Sequence, residues 1–131
     1  MAPLIAFNGE ETPDKMPLAP VGIPVAFQVV GAEMKMSKTE KPMLEVKMQM
    51  SGLGAPLDGT QMFDYFVEPA TDQKTQIKLK KFCKAIGVTV GREGLSTELL
   101  LGKTGQFVLK PDTYNDEESR RIQAYVLPAG A

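Results

Sequence analysis

The stretch that decides the fold is residues 23–50, which read IPVAFQVVGAEMKMSKTEKPMLEVKMQM. Apolar and polar side chains alternate on both sides of a short polar segment, Ser37–Pro42, which is the pattern of two β-strands joined in a hairpin. In the first strand the apolar residues occupy odd positions up to Val29 and even positions from Ala32. Because side chains alternate with a period of two, one extra residue near Gly31 keeps the apolar side inward. The sequence therefore predicts a long, coiled first strand with a β-bulge at Gly31.

The composition is that of one domain with almost balanced charge. The chain has 131 residues, with 15 Lys and Arg against 16 Asp and Glu, and a formal net charge of -1. A nucleic-acid surface would therefore have to be a local patch, because a dedicated basic protein shows its excess in the total. Histidine is absent and Cys83 is the only cysteine, which excludes an intramolecular disulfide, the usual zinc sites and histidine-based catalysis. We expect no metal, no cofactor and no enzymatic activity.

The N-terminal region reads as an arm in front of a single domain. Residues 1–20 contain four prolines and show no sustained period, so we interpret them as an extended arm that precedes a domain at residues 21–131. No basic region precedes an apolar run, and no stretch of about 18 apolar residues occurs. We therefore expect neither a signal peptide nor a membrane span, no membrane partner, and a reducing, cytoplasmic setting.

After the hairpin, changes of period predict a strand, a helix, a short helical turn and two more strands, at Gln61–Val67, Thr71–Ile86, Ser96–Gly102, Gln106–Lys110 and Arg120–Leu127. The helix is amphipathic, with Cys83 on its apolar face and Gly87 as a left-handed cap. Pro111 is expected to end the fourth strand, and residues 112–119 to form a polar turn. Three strands, a helix and two strands are the connectivity of a five-stranded OB-like barrel, so the predicted class is mainly β with one helix between strands three and four. Other all-β folds could pair the same elements differently.

Exposed aromatic side chains are what a protein needs to stack on bases. Placing Asp64 on the outside of the third strand sends Phe63 and Tyr65 inward and leaves Phe66 outside. The same alternation in the last strand points Ile122, Ala124 and Val126 inward. The predicted stacking residues are thus Phe66, Tyr114 and Tyr125, and packing under a loop or helix is the alternative for each of them.

Basic residues gather around the first hairpin and on the last two strands. The face of strands two and three, with its flanking hairpin loops, is where an OB barrel holds single strands. We therefore predict nucleic-acid contacts from Lys35, Lys38, Lys47, Lys103, Lys110, Arg120 and Arg121. The alternative is that lysines at strand edges prevent aggregation. A further lysine stripe on the predicted helix lies opposite its apolar face and is interpreted as a solvated surface.

Five segments carry a resemblance to a known family, namely residues 29–35 (VVGAEMK), 44–48 (LEVKM), 63–66 (FDYF), 79–87 (LKKFCKAIG) and 99–103 (LLLGK). Over residues 22–128 the chain resembles phage-encoded single-stranded DNA-binding proteins of the OB-fold type. Such proteins often end in an acidic tail that recruits replication partners. This chain ends in LPAGA, so we expect no recruitment through a tail of that kind.

The resemblance implies a non-sequence-specific single-stranded DNA-binding protein that acts in phage DNA replication or recombination, in the cytoplasm of an infected bacterial host. Single-stranded DNA is then the main partner, and phage replication or recombination proteins and further copies of the chain are compatible with that role. A second hypothesis is a small phage virion or tail structural protein that uses the barrel as an assembly unit. Balanced charge favours this second hypothesis, as do Met43 and Met62, which the alternation places on the outside.

Overall fold

The computed structural model describes residues 6, 9–10, 18–54, 57–92 and 94–127. These residues form a mainly β fold with five strands, one α-helix and one 3-10 helix. In chain order the elements are β1 (Pro24–Met36), β2 (Pro42–Ser51), β3 (Gln61–Val67), α1 (Gln73–Ala85), the 3-10 helix (Thr97–Leu100), β4 (Thr104–Tyr114) and β5 (Glu117–Tyr125). The predicted class, with one helix between the third and fourth strands, is confirmed.

The five strands form one antiparallel sheet in the order β3-β2-β1-β4-β5. Its edge strands are β3 and β5, and no backbone ladder joins them in the described part of the chain, so the sheet is not closed by backbone hydrogen bonds. The two edges nevertheless meet through their side chains. The Tyr125 hydroxyl on β5 donates a hydrogen bond of 2.6 Å to Asp64 Oδ2 on β3. The sheet therefore curls until its two edge strands, β3 and β5, are in contact through their side chains.

The predicted β-bulge in β1 is confirmed. The register with β2 shifts between Val29 and Gly31, and Val30 is the extra residue. Before the bulge the buried side chains of β1 are at odd positions, and after it Ala32 and Met34 pair with buried residues of β2. Met34 and Met36 are nevertheless 51% and 63% exposed, because this end of β1 extends beyond the core.

Helix α1 caps the core with its apolar face. The Asp72 side chain accepts hydrogen bonds from the backbone N–H groups of Lys74 and Thr75 at its N-terminus. Gly87, the predicted left-handed cap, adopts φ 77° after the C-terminus of α1. Phe82 packs among Phe27, Phe66 and Tyr125, with ring centroids 4.9–6.4 Å apart. The helix has 13 residues, and no helix in the described part of the chain is long and apolar enough to cross a membrane.

The hairpin between β4 and β5 is longer than predicted. β4 continues through Pro111 to Tyr114, and the chain reverses in a two-residue turn at Asn115 and Asp116, whose φ values are 50° and 62°. Two adjacent positive φ values are typical of a type I′ hairpin turn. Proline is tolerated inside β4 because β1 pairs with β4 only as far as Val108, so Pro111 has a neighbouring strand on one side alone. The predicted polar turn at residues 112–119 is therefore wrong.

The predicted orientation of β3 is also wrong. Asp64 and Phe66 point into the core, whereas Phe63 and Tyr65 lie on the outer face. The sequence pattern favoured the opposite orientation of β3, because that orientation would have buried three apolar side chains in place of the Asp64 carboxylate. Asp64 is tolerated inside because Tyr125 and Lys78 both donate hydrogen bonds to it, the Lys78 bond being 2.7 Å long.

A second bulge inverts the predicted orientation of β5. Val108 pairs with Ala124 and Leu109 pairs with Ile122, so Gln123 is an extra residue. Ile122 still faces the core, but beyond the bulge Tyr125 points inward and Ala124 is exposed. The inward orientation of Tyr125 makes the contact between β5 and β3.

The end of the N-terminal arm is attached to the domain. Most of the arm, residues 1–5, 7–8 and 11–17, lies outside the described residues. Ala19 is buried in the core, and the Arg120 guanidinium donates a 2.7 Å hydrogen bond to its carbonyl oxygen. The chain therefore contacts β5 before it enters β1.

Candidate nucleic-acid interface

The outer face of β2 and β3 carries an exposed aromatic pair. Phe63 and Tyr65 are 40% and 45% exposed, and their rings are nearly parallel, with centroids 6.4 Å apart and planes inclined by 9°. Lys47 is the cross-strand partner of Phe63, and its Nζ lies 5.7 Å from the Phe63 ring centroid. We call Phe63, Tyr65 and Lys47 the platform.

The local sequence accounts for this arrangement. Once Asp64 and Phe66 are held inside, alternation along β3 requires Phe63 and Tyr65 to project from the same outer face. Gly31 lies opposite Lys47 on β1 and has no side chain to cover it. The ammonium group is therefore free to extend over the Phe63 ring in a cation–π contact.

The platform has the chemistry of a single-strand binding surface. Stacking uses the π-face that every base offers, so flat exposed rings bind unpaired bases with little dependence on sequence. A lysine beside the rings can neutralise a phosphate of the same strand. Lys47 has no carboxylate partner in the described residues, so its charge is available to a ligand.

Lys35, the other predicted lysine on this face, is compensated by carboxylates. Its Nζ lies 2.9 Å from Glu45 Oε1 and 3.6 Å from Glu33 Oε1. The hydrogen bond to Glu45 raises the pKa of Lys35. Lys35 therefore remains charged but already has acidic partners, and a phosphate would have to compete with them.

The remaining predicted basic residues lie outside β2 and β3. Lys38 is exposed in the turn between β1 and β2, and Lys103 is exposed before β4, where its carbonyl oxygen accepts a hydrogen bond from Val29 beside the bulge. Lys110 and Arg121 are cross-strand partners on β4 and β5, and both are exposed. The structure thus brings these two predicted basic residues together on β4 and β5. Lys47 lies on β2, on the other side of β1 in the strand order.

Arg120 is engaged in contacts within the protein. Its guanidinium donates to the carbonyl oxygens of Ala19 and Ser119 and lies 3.1 Å from Glu118 Oε1. Only about 15% of its side chain is exposed. Its evident role is to attach the end of the arm to β5.

The prediction that Phe66 and Tyr125 are exposed for stacking is wrong. Phe66 is fully buried, with its ring centroid 5.7 Å from that of Phe82. Tyr125 packs edge-on against Phe82, and burial together with the neighbouring Asp64 raises the pKa of its hydroxyl far above the usual value. Phe66 therefore presents no face to a base, and Tyr125 is half-buried. The Tyr114 side chain lies outside the part of the chain that the structure describes.

The sequence pattern indicated the outer face of strands two and three, but the wrong aromatic residues for that face. It placed the surface on strands two and three and included Lys47, but it missed Phe63 and Tyr65, which the structure exposes there. No group of three or more His, Cys, Asp or Glu side chains in the described residues is placed to hold a metal ion. No protein-family model matches the chain, and no curated protein matches its sequence.

Proposed function

We propose that this chain is a non-sequence-specific single-stranded DNA-binding protein with an OB-like barrel. The observation that carries the proposal is the platform, in which two exposed parallel rings and an unpaired lysine lie on the outer face of β2 and β3. Large apolar side chains exposed together on one strand favour a ligand-binding surface. Bases are the ligands that flat rings and a neighbouring cation fit best.

The topology supports the OB-like part of the proposal. The strand order β3-β2-β1-β4-β5, with the helix between β3 and β4, is compatible with a five-stranded OB barrel that is open between its third and fifth strands. The Tyr125–Asp64 hydrogen bond bridges that opening. In such barrels single strands bind on the face of strands two and three, where the platform lies.

The mechanism would be passive. Phe63 and Tyr65 stack on successive bases, Lys47 neutralises a phosphate, and the strand is kept unpaired for a polymerase or recombinase. No bond is made or broken, so the protein acts without catalysis. The sequence resemblance supports a role in phage DNA replication or recombination.

The test is a titration of labelled single-stranded and duplex oligonucleotides of equal length, followed by fluorescence anisotropy. We expect a preference for the single strand, and a loss of about 1–3 kcal/mol in affinity for Phe63→Ala and for Tyr65→Ala. Leu99→Ala is the matched control, because Leu99 is similarly exposed on the 3-10 helix and remote from β3 in the sequence. Equal binding to both oligonucleotides, or unchanged binding by both aromatic variants, would reject the proposal.

A second candidate function is that of a virion or tail structural protein. Met43 and Met62, which first favoured it, are both half-buried. The observation that favours it now is the pair Met34 and Met36, which leave a larger apolar surface exposed at the end of β1. This candidate predicts that the protein self-associates in sedimentation experiments and that the double variant Met34→Gln/Met36→Gln does not. It also predicts no preference for single-stranded DNA.

A further inference from the structure

A groove of about 970 Å³ follows the opening between β3 and β5, with α1 as its wall. Four consecutive residues of β3, Met62–Tyr65, line the groove, and so do six consecutive residues of β5, Arg120–Tyr125. Consecutive residues of a strand point to opposite faces, so a groove lined by all of them runs along the strand edges themselves. The groove is therefore the gap that the unclosed sheet leaves.

Positive charge is concentrated along this groove. Its lining contains two acidic residues, Asp64 and Asp112, and five basic ones, Lys74, Lys78, Lys81, Arg120 and Arg121. Lys78 and Arg120 are already paired with Asp64 and Glu118. The other three basic residues have no acidic partner in the described part of the chain and are exposed. In a protein with a net charge of -1, this is a local excess of positive charge.

The groove is continuous with the platform. Phe63 and Tyr65 contribute to its lining as well as to the outer face of β3. A strand whose bases stack on these rings would pass over the edge of β3 directly into the groove. Ile77 and Leu127, which are exposed in the groove, offer apolar surface to sugars and bases.

We propose that this groove binds the sugar-phosphate backbone of a single-stranded nucleic acid that leaves the platform, with Lys74, Lys81 and Arg121 as the phosphate contacts. The proposal rests on the proposed function, because the strand has to reach the groove from Phe63 and Tyr65. It extends the binding path from the outer face of the sheet to α1 and β5. The helix lysines then have a role that the sequence pattern alone had assigned to solvation.

The Tyr125–Asp64 hydrogen bond favours a polynucleotide over an acidic peptide as the occupant. A peptide that adds to a strand edge pairs its backbone along that edge. Here the 2.6 Å hydrogen bond crosses the gap at Asp64, the middle residue of β3, and interrupts such a ladder. A phosphate backbone needs only cations along the walls, and the bridge leaves these accessible.

The test compares two triple variants that remove the same charge. Lys74→Gln/Lys81→Gln/Arg121→Gln changes the groove, and Lys80→Gln/Lys84→Gln/Arg92→Gln changes two lysines and one arginine that are also exposed and lie outside it. Both are titrated with oligonucleotides of about 4 and about 16 nucleotides, the range of OB site sizes, over a series of salt concentrations. Thermal unfolding checks that both variants fold.

We expect the groove variant and the control variant to bind the short oligonucleotide with the same affinity. The parent should bind the longer oligonucleotide more tightly than the short one, and the groove variant should not. Its salt slope with the longer oligonucleotide should be smaller than that of the control by about 2, since each phosphate contact to a single strand contributes about 0.7. The thermal transitions of the two variants should be similar, because all six side chains are exposed.

Three results would overturn the inference. If the two triple variants bind alike while Phe63→Ala weakens binding, the groove is not on the path and the proposed function stands. If the parent binds no single-stranded DNA, the proposed function and the groove fail together. If a decamer of glutamate binds the parent and not the groove variant, while both bind long oligonucleotides equally, the groove accepts an acidic protein segment instead.

Discussion

Asp64 is the residue at which three elements of the fold meet. Its carboxylate accepts hydrogen bonds from the Tyr125 hydroxyl on β5, from Lys78 Nζ on α1 and from the backbone N–H of Tyr65, at 2.6, 2.7 and 2.8 Å. It is only 9% exposed, so these donors replace the water that a carboxylate would otherwise bind. One side chain thus connects both edges of the sheet to the helix.

Asp64→Ala is expected to destabilise the protein by about 2–3 kcal/mol, because the largely buried Tyr125 hydroxyl keeps only Met48 Sδ, 4.0 Å away, as a weak acceptor. Tyr125→Phe removes the same hydrogen bond and no ring packing, and should cost about 1 kcal/mol. The two changes share one interaction, so the double variant should be less destabilised than the sum of the singles. Urea denaturation measures all three, and additive effects would show that the bridge contributes nothing.

Cys83 gives a pH-dependent prediction. Burial raises the pKa of its thiol from the usual 9.0 to about 11. Between these values the unfolded chain loses the thiol proton and the folded chain keeps it, so stability is complete below pH 9 and falls by about 2–3 kcal/mol as the pH rises to 11. Lysines titrate in the same range, and Cys83→Ala is therefore the reference. Its unfolding free energy should fall less steeply over this interval than that of the parent, and equal slopes would contradict the assignment.

At the scale of the elements, the bulge in β1 depends on an extra residue more than on glycine. The φ angle of Gly31 is outside the left-handed region, and a Cβ atom there would lie 3.4 Å from Lys47 Cβ, which is ordinary contact. The sequence pattern predicts the parity change at Gly31, and the structure places the unpaired residue at Val30. Glycine at position 31 thus leaves Lys47 uncovered without being required by the backbone.

Two glycine substitutions test this difference. Gly31→Ala should change stability by less than about 1 kcal/mol. Gly105→Ala should cost about 1–3 kcal/mol, because a Cβ atom there would lie 3.0 Å from Phe27 Cζ and 3.1 Å from both the Ala85 carbonyl oxygen and Ile86 Cγ2. Thermal unfolding of both variants provides the comparison, and a larger loss at Gly31 than at Gly105 would reject it.

Features that depend on neighbouring residues were predictable from the sequence. The order of elements, the bulge and the caps of α1 all follow from local periods and cap residues. The inward orientation of Asp64 was not predictable, because its partners Lys78 and Tyr125 are 14 and 61 residues away. The orientation of Tyr125 depends on a bulge at Gln123, and no glycine in β5 indicates that bulge in the sequence. The platform was missed for the same reason, since its aromatic residues follow from the orientation of Asp64.

At the scale of the whole molecule, near-neutral charge limits where a polyanion can bind. With a net charge of -1 there is no general attraction, so the proposed binding would depend on the platform and on the groove between β3 and β5. Ionic contacts and stacking contacts differ in how their contribution to affinity depends on salt concentration. Releasing counterions from phosphates makes affinity fall with salt, whereas stacking on an aromatic ring is largely independent of it.

Lys47→Gln and Tyr65→Ala separate the two contributions on the platform. Lys47→Gln should reduce the salt slope for single-stranded DNA by about 0.7, the value for one phosphate contact. Tyr65→Ala should leave the slope unchanged and weaken binding by about 1–3 kcal/mol at every salt concentration. Lys84→Gln, on the exposed surface of α1 outside the groove, controls for the loss of one charge. If Lys47→Gln and Lys84→Gln change the slope equally, the strand does not cross β2 beside Phe63, and the platform is not the binding surface.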